Sequence, residues 1–116
     1  MFNIWSKSDV LEKNDDGKTS LMLASKYGNL DCVQYLIKSG SDVATKNLYG
    51  QTALMHASRY GHLECVQYLI DCGSDVFEKN NNGKTALTLA SNDRHSECAK
   101  FIEHILENKT YSDIKS

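Results

Sequence analysis

Between Leu63 and Cys72 the apolar residues Leu63, Val66, Leu69 and Ile70 fall at i, i+3, i+6 and i+7, separated by polar residues such as Glu64, Gln67 and Asp71. That spacing places the apolar side chains on one stripe of an amphipathic helix. A shorter helix is predicted just before it. Thr52 is a helix-start residue whose hydroxyl can satisfy the first free N–H groups. Leu54, Ala57 and Ser58 form its packing side, and the small Ala57 and Ser58 let a neighbouring helix approach closely. Gly61 ends the first helix and Gly73 the second, as glycines in left-handed turns commonly do. Ahead of the pair, Ser41 to Thr52 reads as a turn-rich hairpin with Asn47, Tyr49 and Gly50 at its tip.

The same pattern recurs. Gly17, Gly50 and Gly83 stand 33 residues apart, and so do Cys32, Cys65 and Cys98. Residues 15–47 and 48–80 are identical at 21 of 33 positions. One short helix pair cannot bury its apolar face alone, so a fixed period of this size implies stacked repeats. The predicted organisation is a half-repeat over 1–14, full repeats over 15–47 and 48–80, a third repeat with end-cap character over 81–108, and a polar tail over 109–116. The half-repeat is read from Ser8–Asn14, which matches 41–47 and 74–80. Phe2 and Ile4 align there with Tyr35 and Ile37 of a second helix, and Trp5 is suited to cover the open apolar face of the first full repeat.

The third repeat departs from its predecessors. Leu63, Val66 and Ile70 become Ser96, Ala99 and Glu103, which are expected to face outward and close the stack. Tyr60-Gly61 becomes Asp93-Arg94, so the turn between helices loses its glycine. Leu106 replaces Gly73, so the last helix is predicted to run on to about Asn108, with a loosely held tail beyond.

Composition narrows the function classes. The chain has 116 residues and a formal net charge of −2, with a pI near 6.0. No strong field favours nucleic acid or an anionic membrane. No apolar run approaches the ~18 residues of a membrane span, and the first residues are too soon polar for a signal peptide. The expected compartment is the cytoplasm, with the nucleus as the other setting. Cys32, Cys65 and Cys98 sit one repeat apart. Equivalent backbone positions in adjacent repeats are roughly 10 Å apart, beyond the ~7 Å that a disulfide spans, so all three are expected reduced and buried. Cys72, near a helix end, is expected to be the reactive thiol.

No catalytic, cofactor or metal site emerges. Nucleophile elbows, phosphate-cradling glycine loops and Cys–His pairings with an orienting residue are lacking. His56 and His62 are six residues apart across a turn, whereas helical metal pairs stand at i, i+4. His95 and His104 have no acidic or cysteine companion at ligand spacing.

Thr52–Ala57, Gly61-His62-Leu63 and Cys72–Val76, repeated at the 33-residue period, resemble ankyrin repeat proteins over about residues 8–107. The resemblance implies an all-α solenoid of helix-turn-helix repeats joined by β-hairpin-like loops. The sequence lacks the proline of the family's Thr-Pro-Leu-His start. The histidine of that start is replaced by Met22, Met55 and Thr88, so packing must substitute for a polar tie.

The resemblance further implies a concave protein-binding surface of hairpin tips and first-helix faces, with no cofactor. By position its hairpin residues are Lys13, Asp15, Asp16 and Lys18, then Lys46, Leu48, Tyr49 and Gln51, then Lys79, Asn81, Asn82 and Lys84. Its helix residues are Lys26 and Tyr27, then Arg59 and Tyr60, then Asn92 and Asp93. Leu48 and Tyr49 stand where the neighbouring tips carry Asp15-Asp16 and Asn81-Asn82. Two sizeable apolar groups at a solvated tip have no folding rationale, and they match the composition of an interface hot spot. Tyr27 and Tyr60 are read either as partner anchors or as part of the stack. The resulting expectation is a monomeric, non-catalytic module or adaptor that binds a protein and neither nucleic acid nor membrane. The alternative is a structural module that associates end to end through its N-terminal half-repeat.

Overall fold

The computed structural model describes residues 19–115, with side chains through residue 108. Six helices follow in order: α1 (Ser20–Lys26), α2 (Leu30–Lys38), α3 (Ala53–Arg59), α4 (Leu63–Asp71), α5 (Ala86–Asn92) and α6 (Ser96–Lys115). The inner helices α1, α3 and α5 pack side by side, as do the outer helices α2, α4 and α6. Each inner helix starts on a threonine. Thr19, Thr52 and Thr85 accept from the amides of Met22, Met55 and Thr88 at 3.2, 3.3 and 3.3 Å, an N-cap worth about 1 kcal/mol. The predicted expectation for Thr52 therefore holds in all three repeats.

The core runs through the repeats as one apolar seam. Leu21, Leu54, Ala57, Val66, Leu69, Ala90 and Ile102 are buried in it. In α3 every residue from Ala53 to Ser58 is buried, since this helix is covered by α1 on one side and α5 on the other. Met22 and Met55 are each 1% exposed, so packing does fill the positions where the family's histidine is replaced. A polar tie survives one residue along, where His56 Nδ1 donates to the Thr52 carbonyl at 3.0 Å.

A second imidazole joins repeats. His62 is the N-cap residue of α4 but makes no cap bond to its own helix. Its Nε2 instead donates to the Lys26 carbonyl at the end of α1, at 2.8 Å. The ring lies over Gly28, and His95 lies over Gly61 in the same way. A Cβ on either glycine would collide with the imidazole of the next repeat. Gly61 has φ +77°, so it serves both the turn and the close approach. Arg94, at the equivalent position in the last repeat, keeps the left-handed backbone with φ +62° without being glycine.

Two expectations require correction. Ala99 faces inward, 8% exposed, and joins the core, while Ser96 and Glu103 are exposed as expected. It occupies the position of Val66, which is fully buried, so a smaller apolar residue follows the same seam. The last helix does not stop near Asn108 but continues to Lys115, because neither glycine nor proline interrupts residues 96–115. The connecting loops are hairpin-like as expected: Asn47 and Asn80 donate their main-chain N–H groups to the Gln51 and Lys84 carbonyls at 3.0 and 2.9 Å, and among the described residues the hairpins contain no extended strand. Asparagine side chains supply the bonds that a ladder would have made, as described below.

The cysteines also divide differently. All four are free. Cys65 and Cys98 are buried, and burial pushes both thiols above their usual pKa, with Glu64 and Glu97 adding to the effect. Cys72 is exposed. Cys32 is only partly buried. Cys65 shares a crevice with Gly28 and Leu30 of the preceding repeat. Cys32 occupies the same place in α2, and the unit before it lies outside the described residues. The parts assigned to Phe2, Ile4 and Trp5, and with them end-to-end association, also fall outside.

Gly61→Ala is expected to cost at least about 2 kcal/mol, from left-handed backbone strain plus the clash with His95. Arg94→Gly is expected to stabilise by about 0.5–1 kcal/mol, because the same strain is relieved where no imidazole sits. Urea unfolding of both variants checks the pair, and a Gly61→Ala loss below about 0.5 kcal/mol would contradict the contact. With a disulfide reagent at pH 8, Cys72 is expected to react first, Cys32 next, and Cys65 and Cys98 only on the timescale of opening. Peptide mapping of the first labelled site reads this order, and early label on Cys65 would refute the placement.

Candidate functional site

The tip of the middle hairpin is built on Asn47. Its Oδ1 accepts from the amides of Tyr49 and Gln51 at 2.9 and 3.0 Å, and its Nδ2 donates to Gln51 Oε1 at 3.0 Å. Asn80 repeats the arrangement one unit later, accepting from the Asn82 and Lys84 amides at 2.9 and 3.0 Å. Short side-chain amides mimic a turn of backbone in this way, and so fix the tip without flanking strands.

The tips are also laced together. Asn81 donates its main-chain N–H to the Tyr49 carbonyl at 2.9 Å and its Nδ2 to the Leu48 carbonyl, also at 2.9 Å. Gly50 sits against this junction, where a Cβ would come within 2.9 Å of the Asn81 nitrogen. Lys46 and Glu78 form an ion pair between the same two hairpins, with both side chains partly solvated. An exposed pair of this kind is worth about 1 kcal/mol at most, so the asparagine bonds are the firmer link.

These contacts occupy the backbone of Leu48 and Tyr49 and leave their side chains in solvent. Leu48 is 66% exposed and Tyr49 59%. The expected contrast at the tips is therefore present as geometry. Asn82 and Lys84 are exposed on the next hairpin. Gln51 and Asn81, both assigned to the binding face from sequence, are engaged in holding the tips. Lys13, Asp15, Asp16 and Lys18 lie outside the described residues.

The C-terminal ends of the inner helices carry a second group. Tyr27 is 70% exposed and Tyr60 42%. The Lys26 ammonium lies 5.5 Å from the Tyr27 ring centroid and 5.7 Å from that of Tyr60. The Arg59 guanidinium lies 5.8 Å from the Tyr60 centroid. Arg59 then reaches Asp93 at 3.8 Å, near the limit of an ion pair. Tyr27, Lys26, Tyr60, Arg59 and Asp93 thus form a row across three repeats. Each tyrosine ring lies beside a cation of the row and is still exposed to solvent.

Some residues that hold this surface in place act through bonds that residue type alone does not reveal. Asn47 and Asn80 hold the tips, and their 33-residue spacing was a signal that could have found them. His62 ties down the backbone of the row through the Lys26 carbonyl, while Asp93, which the repeat period had already placed in the helix column, ends the row. Phe77 and Tyr35 are further exposed apolar residues, as is Leu23, which lines one crevice with Tyr27. Among the described residues, no three His, Cys, Asp or Glu side chains gather into a metal-binding group. No described helix is long and apolar enough to cross a membrane.

In comparison with known families, a family model described as ankyrin repeats (3 copies) matches residues 2–80 and, overlapping, 21–113. No curated protein matches the chain.

Proposed function

The chain belongs to the ankyrin repeat family, and we propose that it is a non-catalytic module that binds a partner protein through its concave face, as an adaptor or as the repeat segment of a larger protein. Ankyrin repeats are generally protein–protein interaction modules. The observation that carries the reading here is the middle hairpin. Leu48 and Tyr49 are exposed, yet their carbonyls are held by Asn81 and the Tyr49 amide by Asn47. Apolar side chains on an already ordered tip lose little entropy when a partner covers them, which is how rigid anchors gain affinity. Lys46 and Lys84 would form the polar rim on the hairpin side, and Tyr27, Tyr60 and Arg59 the flank on the helix side. We propose the cytoplasm or nucleus as its setting, a reading supported by four free thiols, three of them one repeat apart, and a monomer as its state.

Tyr49→Ala tests the reading. Because the ring is solvated and the tip is held through main-chain and asparagine bonds, stability is expected to change by less than about 0.5 kcal/mol. Affinity for a captured partner is expected to fall by about 2 kcal/mol or more, roughly 30-fold. Thermal unfolding and a binding titration of the same variant read the two quantities. A variant that melts many degrees lower would make Tyr49 a packing residue, and one that keeps full affinity would move the site off this hairpin.

A further inference from the structure

The row at the ends of the inner helices has a chemistry of its own. It alternates ring and cation: Tyr27, Lys26, Tyr60, Arg59. Charge is partitioned between the two helix layers. The inner helices α1, α3 and α5 hold Lys26 and Arg59 and no acid. Through residue 108 the outer helices α2, α4 and α6 hold six acids against two lysines. The net charge of −2 therefore hides a cationic inner layer backed by an anionic outer one. Such separation biases which partners approach which face, over roughly the 8–10 Å that salt leaves unscreened.

The cations of the row are weakly matched within the described residues. Arg59 has Asp93 at 3.8 Å, with both side chains about half exposed. Lys26 has two ring faces and no acidic partner. A ring face attracts a cation but uses none of its N–H donors directionally. Both groups thus retain donors suited to a carboxylate, and a guanidinium takes one in two-point fashion. The rings beside them offer apolar area to a neighbouring side chain of the same ligand.

Resting on the reading of the concave face as a protein-binding surface, we propose that Lys26 and Arg59 select a partner segment rich in acidic residues with an aromatic or aliphatic side chain interspersed. The carboxylates meet the two cations, and the apolar side chain lies on Tyr27 or Tyr60. Leu48 and Tyr49 then take the apolar part of the same partner, and the outer helices repel it from the opposite face.

The test is a titration of the ¹⁵N-labelled chain with a glutamate–tyrosine copolymer. Polylysine and a single-stranded oligonucleotide serve as comparators. The copolymer is expected to shift amides around residues 26–28 and 59–61. Binding is expected to weaken with added salt, and by at least about tenfold in Arg59→Glu or Lys26→Glu. Lys38→Glu on α2 is expected to leave it unchanged. Tyr49→Ala in the same titration separates the two readings. Loss of binding in Tyr49→Ala but not in Arg59→Glu would overturn the selection for acid and leave the concave face standing. Shifts confined to the outer helices would overturn both. A stronger response at the row to the oligonucleotide, or a response to polylysine equal to that of the copolymer, would also overturn the proposal. Circular dichroism of each variant confirms that the helices are retained, so a loss of binding reads the row itself.

Discussion

The structure depends on how closely one repeat can approach the next. At the turn between helices the approach is set by His62, whose ring lies over Gly28 and donates to the Lys26 carbonyl at 2.8 Å. A helix end leaves carbonyls without partners, and burying them unpaired would cost free energy. His62 leaves its own helix without a side-chain cap and closes α1 of the preceding repeat instead. A bond given up within a repeat thus becomes a bond between repeats. The glycine beneath the ring allows this, because any Cβ there would hold the two units apart.

A second line of contact runs along the hairpin tips, at the next repeat boundary. With the helices in register, Asn81 reaches both the Leu48 and Tyr49 carbonyls. The tip bonds are main-chain or asparagine bonds, so they place no demand on the side chains of residues 48 and 49. That freedom is what a repeat scaffold offers to function: the stack is specified by one set of residues and the exposed face by another. The tyrosine–cation row obeys the same division. Its backbone is tied down by His62 at Lys26, while its rings and charged groups face solvent. An exposed face held by contacts behind it is ordered before a partner arrives.

Much of this architecture was legible in the chain. The 33-residue period, the threonine helix starts and the left-handed glycines each have a local cause that a residue type betrays. The exposure of Leu48 and Tyr49 was legible too, because their neighbours in the repeat are polar. What escaped were contacts between units. His62 was weighed as a metal ligand and set aside, yet its partner is a main-chain carbonyl, which no residue identity encodes. Ala99 was read as outward because its neighbours in the pattern turn polar, although its position follows the buried seam of Val66. Cys32 shares its place in the repeat with Cys65, but its burial depends on what precedes it. Repeat symmetry predicts positions within a unit, and the units at the ends see different neighbours.

The central claim is that an imidazole reaching across the repeat boundary holds the stack together. Urea unfolding of His62→Ala tests it directly, with His104→Ala as the comparison, since His104 is exposed on α6. The account predicts a loss of about 1–2 kcal/mol for His62→Ala, from the bond to the Lys26 carbonyl and the packing over Gly28, and less than about 0.5 kcal/mol for His104→Ala. Equal and small losses in the two variants would contradict it.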